Sequence, residues 1–303
     1  MVKTVAYLVG GDNWVPCFVS VYSLLENNEN TAFRIVIFSE ENQDNQFFAN
    51  TASLESVHDD FSVEFVGISQ DDFDGLPTSP DENAIFPKAM YAKLLIPELL
   101  PSSPSNFLYL DADTLVLNDL NDLFNKSLTG TTVAAAPDVQ NMIGGLGVGL
   151  EKQYFNAGVM YVNTREWLDN DTTKACLDFI RTHKPSYMDQ TALNAVLHRR
   201  DAVDIISPNY NLIRSWAENS DENISFEFDR DEINIIHYAG VPKPWHYRAR
   251  DEIYEPWIEY CDQTPFEDFY PQHRNPKAIE YAERAIAPFP RLSTIAECIY
   301  ENL

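Results

Sequence analysis

The sequence lacks any apolar run that approaches the ~20 residues a membrane-spanning helix needs. Its first apolar run, Val5 to Val9, is shorter than the core of a secretory signal, and it leads into Gly-Gly-Asp-Asn instead of a cleavage site. We therefore expect neither a transmembrane anchor nor a signal peptide, and we expect a cytoplasmic protein.

Cysteine is scarce, and the spacing of the cysteine residues argues against stabilisation of the fold by zinc or by disulfide bonds. No Cys-x-x-Cys pair is present, so neither a zinc site nor a disulfide framework is expected, and a reducing compartment fits the chain best. The cysteines are Cys17, Cys176, Cys261 and Cys298.

Basic residues are also few, with 21 Lys and Arg against 47 Asp and Glu, which gives a formal net charge of -26. Nucleic acids and anionic membranes are bound through clustered Lys and Arg, so the charge argues against both as partners. Two interpretations of the acidity stay open: a well-solvated surface, or adaptation to high salt, which screens the repulsion between surface charges.

The 303 residues include 45% hydrophobic and 13% aromatic residues, enough to bury a substantial core. Short apolar strands alternate with helical periodicity along the first half, which favours an α/β fold with a parallel sheet and crossover helices. The predicted early elements are strands at Val2 to Val9, Phe33 to Glu40 and Ser62 to Ile68, and helices at Trp14 to Glu26 and Lys88 to Pro97.

The later elements end in a segment of different character. Strands are predicted at 107–110, 132–138, 155–164 and 232–240, with a helix at Tyr187 to Arg200. Beyond about residue 250 the chain is aromatic and interrupted by proline, and we interpret it as a small helical appendage. Two Pro- and Gly-containing stretches, Ser69 to Pro87 and Ala239 to His246, are candidate lids over a site.

Asp111 and Asp113 are the first candidate site residues, because they end the apolar strand Phe107 to Leu110. Ligands of open α/β sheets bind at the carboxyl ends of strands. Two carboxylates at such a place repel each other unless a cation compensates them, and Mn²⁺ or Mg²⁺ suits oxygen ligands. The competing interpretation is a pair of turn-forming residues.

The stretch His-Tyr-Ala-Gly-Val-Pro-Lys-Pro-Trp-His-Tyr is the second candidate cluster. His237 closes an apolar strand and offers a nitrogen ligand, and a mixed oxygen and nitrogen set suits Mn²⁺ better than Ca²⁺. Gly240 permits close backbone approach, and Lys243 suggests an anionic ligand such as a diphosphate. The alternatives are a core histidine and a surface lysine.

Two further motifs carry polar residues next to apolar ones. Asn156 precedes Ala157 and a glycine, where small residues leave room for a ligand. Asp189 and Gln190 stand at the start of a helix, where they either bind hydroxyl groups or serve only as capping residues.

These motifs, in this order and spacing, resemble the retaining glycosyltransferase family 8, which includes bacterial lipooligosaccharide galactosyltransferases and glycogenin. The resemblance covers about Val2 to Tyr247 and rests on four segments: FLYLDADTLVLNDLNDLF, YFNAGVMYVN, MDQTALNAVL and HYAGVPKPWHY. It implies a GT-A type nucleotide-binding domain at 1–250, with a mixed, mostly parallel sheet flanked by helices, and a helical appendage at 251–303.

The resemblance also implies a role for each matching residue. Asp111, Asp113 and His237 would hold Mn²⁺, with Mg²⁺ as the alternative, on the diphosphate of a UDP-hexose. Asp189 and Gln190 would lie at the reacting carbon. The nucleotide-sugar contacts implied are Asn13, Lys93, Asp111, Ala112, Asp113, Asn156, Ala157, Asp189, Gln190, Gly240 and Lys243. Lys93 stands where relatives often carry Arg, so it keeps the charge and lacks the bidentate fork.

The implied activity is transfer of glucose or galactose to a saccharide or glycoconjugate acceptor, with weak membrane association at most. One alternative is self-glucosylation, for which the tail offers five tyrosines: Tyr254, Tyr260, Tyr270, Tyr281 and Tyr300. Another is a UDP-sugar-binding protein without turnover. A phosphatase that uses Asp111 as its nucleophile is disfavoured, because Leu115 stands where that motif needs Thr or Val.

Overall fold

The computed structural model describes residues 2–10, 13–40, 46–69, 91–138, 152–185, 187–213, 229–240, 243–245, 252–267 and 269. The chain divides into two compact units, Met1–Ala239 and Gly240–Leu303. The strands are β1 (Lys3–Val9), β2 (Phe33–Glu40), β3 (Phe61–Ile68), β4 (Asn106–Asp111), β5 (Thr114–Val116), β6 (Val133–Pro137), β7 (Phe155–Asn163), β8 (Val203–Ile205), β9 (Leu212–Ile213) and β10 (Ile235–His237).

The main sheet of the first unit has, within the described residues, the strand order β3-β2-β1-β4-β7-β6-β8. Strands β3, β2, β1 and β4 run parallel to one another, and β6 runs parallel to β8. Strand β7 runs antiparallel to both β4 and β6. The mixed, mostly parallel sheet is thus confirmed, and an all-parallel sheet is wrong. Because β7 is reversed, its first residues lie beside the carboxyl end of β4.

A smaller sheet with the order β5-β10-β9 stands next to this end of β4. Strand β10 pairs antiparallel with β5 and parallel with β9. The strand predicted at 232–240 is therefore shorter, and β5, β8 and β9 were not predicted at all. A two-residue turn, Ala112 and Asp113, carries the chain from β4 in the main sheet to β5 in the small one.

The helices of the first unit are α1 (Trp14–Glu26), α2 (Gln46–Asn50), α3 (Ala92–Leu99), α4 (Asn121–Phe124), α5 (Thr164–Asp169), α6 (Thr172–His183) and α7 (Met188–Arg199). The bounds predicted for α1 are confirmed, and α7 is one residue shorter at each end than predicted. The end predicted for α3 at Pro97 is wrong, because the helix continues to Leu99 with Pro97 inside it. Buried Leu94 and Ile96 hold this helix on the core, which offsets the cost of a proline.

The second unit contains, in its described part, a 3₁₀ turn at Glu252–Tyr254 and helix α8 (Glu255–Cys261). Trp257 is fully buried and packs against Trp245, with ring centroids 5.0 Å apart. All of the first candidate lid except Ser69 lies outside the described residues, as do residues 241–242 and 246 of the second. The boundary at 250 stays a prediction. No helix among the described residues is long and apolar enough to cross a membrane.

Candidate active site

The two carboxylates of the Asp-x-Asp motif flank the turn between the two sheets. Asp111 is the last residue of β4, and Asp113 immediately precedes β5. The hydroxyl of Thr114 donates to the Asp111 carbonyl at 2.8 Å and also contacts the Ser20 hydroxyl of α1 at 2.9 Å. These buried hydrogen bonds fix the turn to the first helix, so the carboxylates stand on a rigid support.

His237 reaches the same turn from the small sheet. Its backbone pairs with Thr114, and the next amide, of Tyr238, donates to the Asp113 carbonyl at 3.0 Å. The Nε2 atom of the buried His237 ring lies 3.3 Å from Oδ1 of Asp113 and 3.6 Å from Oδ2 of Asp111. The structure therefore brings His237 together with two aspartates from a distant part of the sequence.

These three side chains fit a divalent cation. Among the described residues, Asp111, Asp113 and His237 each offer one ligand atom. These three atoms lie no more than 4.8 Å from one another. Two carboxylate oxygens and one imidazole nitrogen form a donor set that suits Mn²⁺ or Mg²⁺ better than a thiolate-preferring metal. The donor set thus favours a metal site over simple turn-forming aspartates.

Lys93, on the first turn of α3, stands beside the cluster as a buried cation. Its ammonium lies 3.1 Å from Oδ1 of Asp111 and 3.6 Å from Oδ2 of Asp189, and it donates to the Ala157 carbonyl at 3.1 Å. Burial lowers the pKa of Lys93, but the charges of Asp111 and Asp189 outweigh it and leave that pKa raised. The Tyr109 hydroxyl donates to the same oxygen of Asp111 at 2.6 Å.

Asp189 lies on the first turn of α7, where the helix dipole favours a negative charge. The side chain is buried, and burial raises its pKa, while Lys93 opposes that shift. The cap position of α7 is Tyr187 and has no side-chain cap hydrogen bond, so Asp189 is not the capping residue itself. The binding of hydroxyl groups by Asp189 stays a prediction.

The side chains of Asn156 and Gln190 both contact the carboxylate of Asp138, which directly follows β6. The sequence motifs did not predict a role for Asp138. Both side-chain amides donate to Oδ2 of Asp138 at 2.9 Å. The side-chain oxygen of Gln190, Oε1, also accepts from the backbone amide of Ala157 at 3.0 Å. A signal for Asp138 was present in the sequence, because it follows the apolar run Val-Ala-Ala-Ala-Pro as Asp111 follows the apolar run Phe107 to Leu110.

Four further residues were predicted to contact the nucleotide-sugar, and all the predicted nucleotide-sugar contacts stay predictions. Asn13 follows β1 at the same edge of the sheet, and its side chain donates to the Gly10 carbonyl at 3.1 Å. Ala112 is buried in the turn between the two aspartates. Gly240, with a φ of 74°, and Lys243 belong to the second unit.

The chain is similar to several known glycosyltransferases. The chain is 28% identical over 265 residues to the lipopolysaccharide 1,2-glucosyltransferase of Escherichia coli, covering 83% of this chain and 73% of that relative. The galactosyltransferase LgtC, solved with donor and acceptor sugar analogs, matches with a TM-score of 0.71 at 20% identity, over 87% of this chain and 96% of LgtC.

The bifunctional glycosyltransferase WbbM also matches, with a TM-score of 0.71 at 22% identity. The match covers 89% of this chain and 51% of WbbM, so the chain spans about half of that larger protein. These likenesses confirm the predicted GT-A fold. Residues 4–249 match the model of the glycosyl transferase family 8. With a match over most of its length, the chain belongs to glycosyl transferase family 8 and is a glycosyltransferase.

Proposed function

We propose that this enzyme is a retaining, Mn²⁺-dependent hexosyltransferase that uses a UDP-sugar donor. The observation that carries the proposal is the convergence of Asp111, Asp113 and His237, with ligand atoms within 4.8 Å of one another. In this proposal these three side chains hold Mn²⁺, with Mg²⁺ as the alternative, against the diphosphate of the donor.

Electrostatics supports a bound cation. A nucleotide diphosphate is an anion, and this chain carries a formal net charge of -26, so long-range attraction is unfavourable. In the described site, the Lys93 ammonium lies beside the carboxylates of Asp111 and Asp189, and Asp113 adds a further carboxylate at the candidate metal position. A bound Mn²⁺ would supply Lewis-acid stabilisation of the charge that develops on the departing diphosphate. Lys93 contributes a second positive charge, and Lys243 is proposed as a third.

The surroundings of Asp189 favour attack of the acceptor on the same face that the diphosphate leaves. The Asp189 carboxylate is buried and lies 3.6 Å from the Lys93 ammonium, which suits a group that orients hydroxyls better than a free nucleophile. The departing phosphate then takes part in removing the proton of the acceptor hydroxyl. A glycosyl-enzyme adduct on Asp189, detected by mass spectrometry, would overturn this assignment.

The sugar and the acceptor are proposed from the relatives. One relative is named a lipopolysaccharide 1,2-glucosyltransferase and one structural neighbour a galactosyltransferase, so we propose glucose or galactose as the transferred sugar. We propose a saccharide or glycoconjugate as the acceptor. The described cysteines, Cys17, Cys176 and Cys261, are free and buried, which fits the proposed cytoplasmic location.

The decisive experiment measures the slow release of UDP from a panel of UDP-sugars, which needs no acceptor. We expect release with UDP-glucose or UDP-galactose when Mn²⁺ is present, and a loss of release with EDTA. Asp113→Asn should lower the rate at least about 10-fold, since changing even an outer-shell partner has an effect of that size. The matched control is Asp169→Asn, in another Asp-x-Asp pair, where the side chain is 66% exposed. Absence of release with every donor would overturn the proposal and favour a binding protein without turnover.

Self-glucosylation is the less favoured candidate. Of the five tail tyrosines, Tyr254 and Tyr260 are buried, as packing residues are, and the others lie outside the described residues. An increase in intact mass by whole hexose units after incubation with UDP-glucose and Mn²⁺ would establish it.

A further inference from the structure

A continuous line of side-chain hydrogen bonds connects Asp138 to the side of His237 that faces away from the aspartates. Asn156 donates from Nδ2 to Oδ2 of Asp138 at 2.9 Å. Its Oδ1 accepts from the Gly158 amide at 2.9 Å and from Nδ2 of Asn211 at 3.0 Å. Oδ1 of Asn211 then lies 3.1 Å from Nδ1 of His237.

The Asp138 carboxylate and the Gly158 amide together fix the direction of every hydrogen bond in this series. A carboxylate only accepts, so the amide nitrogen of Asn156 must face Asp138. The backbone amide of Gly158 only donates, and it faces the other end of Asn156, which independently requires an oxygen there. Nδ2 of Asn211 must therefore face Asn156, and this leaves the Asn211 oxygen facing the histidine.

The amide oxygen of Asn211 can only accept, so Nδ1 of His237 must carry the proton. In the neutral ring Nε2 then carries a lone pair and no proton. This atom lies 3.3 Å from Oδ1 of Asp113 and 3.6 Å from Oδ2 of Asp111. In this tautomer Nε2 and the two carboxylate oxygens all present lone pairs to one another, and a cation between them would turn their repulsion into attraction. A doubly protonated ring would satisfy the same contacts but would exclude a metal ion.

We infer that Asn211 is a positioning residue, which fixes the tautomer and the ring orientation of His237 so that Nε2 serves as a metal ligand. Asn211 suits this role because it is buried and immediately precedes β9, whose Ile213 pairs with His237 in the small sheet. Histidine ligands generally need such a partner on the second nitrogen, and its loss typically weakens metal binding. The inference deepens the proposed function and rests on its metal site.

The first measurement uses metal-free wild-type protein. Two-dimensional ¹⁵N NMR of the imidazole nitrogens, at mildly alkaline pH where free imidazole is neutral, reports which nitrogen carries the proton. The His237 signals are assigned by their loss in His237→Gln. We expect Nδ1 protonated and Nε2 unprotonated. A proton on Nε2, whether alone or with one on Nδ1, overturns the inference.

The second measurement is a Mn²⁺ titration followed by electron paramagnetic resonance, without nucleotide, on two variants of nearly equal shape. Asn211→Leu removes the acceptor, and we expect a mixture of tautomers with Mn²⁺ affinity about 10–100-fold weaker. Asn211→Asp keeps an oxygen opposite Nδ1, so the tautomer should persist and the affinity should stay closer to that of wild type. The control is Asn209→Leu, two residues away on the preceding 3₁₀ turn, which should leave both readouts unchanged.

The outcomes separate this inference from the proposed function. Wild-type affinity and tautomer in a folded Asn211→Leu overturn the inference and leave the function standing. Nδ1–H in a wild-type protein that binds Mn²⁺ but releases no UDP overturns the function and leaves the role of Asn211 standing. A wild-type protein that binds no Mn²⁺ overturns both. If Asn211→Leu does not fold, the tautomer measured in wild type still decides.

Discussion

Gly158, near the start of β7, leaves room for two side chains of the candidate metal site. The Asp111 carboxylate and the His237 ring occupy the space that a side chain at this position would fill. A Cβ built on Gly158 would lie 2.8 Å from Oδ2 of Asp111 and 2.6 Å from Nδ1 of His237. Both neighbours are held from other directions, Asp111 by Tyr109 and His237 by Asn211. The glycine therefore allows two metal-ligand candidates from different sheets to meet above one strand.

Gly158→Ala should displace the His237 ring or the Asp111 carboxylate and weaken Mn²⁺ binding about 10-fold or more. The effect should appear in a Mn²⁺ titration without nucleotide. The matched control is Gly10→Ala, since a Cβ at Gly10 meets nothing within 4 Å. Equal Mn²⁺ affinity in the two variants would show that the three side chains do not form the site.

Lys93→Met should destabilise the protein, because it leaves the buried carboxylate of Asp189 without its cation. We expect a loss of about 2–3 kcal/mol in the free energy of unfolding, below the ~3–5 kcal/mol for a fully buried pair because Asp111 is 28% exposed. Chemical denaturation measures it. Lys93→Arg, which keeps the charge, should lose less.

The control for Lys93 is a solvent-exposed ion pair of the same type. Lys174 pairs with Asp178 on α6, and its side chain is 74% exposed. Lys174→Met should leave the free energy of unfolding nearly unchanged, because solvent screens an exposed ion pair. A Lys93→Met protein as stable as this control would contradict the assignment of Lys93 as the main counter-charge in the site.

The melting temperature should rise with added KCl. At a formal net charge of -26 the folded chain repels itself, and raising the salt from ~0.1 to ~1 M shortens the screening length from ~10 to ~3 Å. Differential scanning calorimetry across a KCl series tests this. A flat response would eliminate salt adaptation and leave the well-solvated surface as the explanation of the acidity.

His198 should make the protein less stable at mildly acidic pH. Burial lowers the pKa of His198, whose ring contacts the Gln153 carbonyl at 2.8 Å, so its protonation is favoured in the unfolded chain. The unfolded state then takes up the extra proton as pH falls through about 6.5, and stability falls with it.

The reference for this pH effect is His198→Gln, which lacks the titration. The stability advantage of wild type over His198→Gln, measured by urea denaturation, should shrink between about pH 7.5 and pH 5.5. An advantage that stays constant over this range would contradict the buried, neutral state of His198.

Elements with strong local patterns were predictable from the sequence. The helix Trp14–Glu26 and the strand Phe33–Glu40 have the predicted bounds because their apolar periodicity is long and uninterrupted. The position of Asp111 at a strand end follows from the same kind of pattern, and so does its approach to Asp113. The four motifs in order were enough to predict the family.

What depends on tertiary pairing was not predictable. The apolar run of β7 does not indicate that the strand runs antiparallel to its neighbours. Strand β9 has only two residues, which are too few to show a periodic pattern. Asp138 and Asn211 contribute to the site only because β6 ends and β9 begins beside it. Their polar side chains look like ordinary turn residues in the sequence.

The most direct test of the account is a crystal soaked with Mn²⁺ and a non-hydrolysable UDP-sugar, measured at a wavelength where manganese scatters anomalously. The account predicts one strong anomalous peak in coordination contact with Asp111, Asp113 and Nε2 of His237, bridged to the diphosphate. A manganese peak elsewhere, or a bound nucleotide whose diphosphate contacts none of the three side chains, would contradict it.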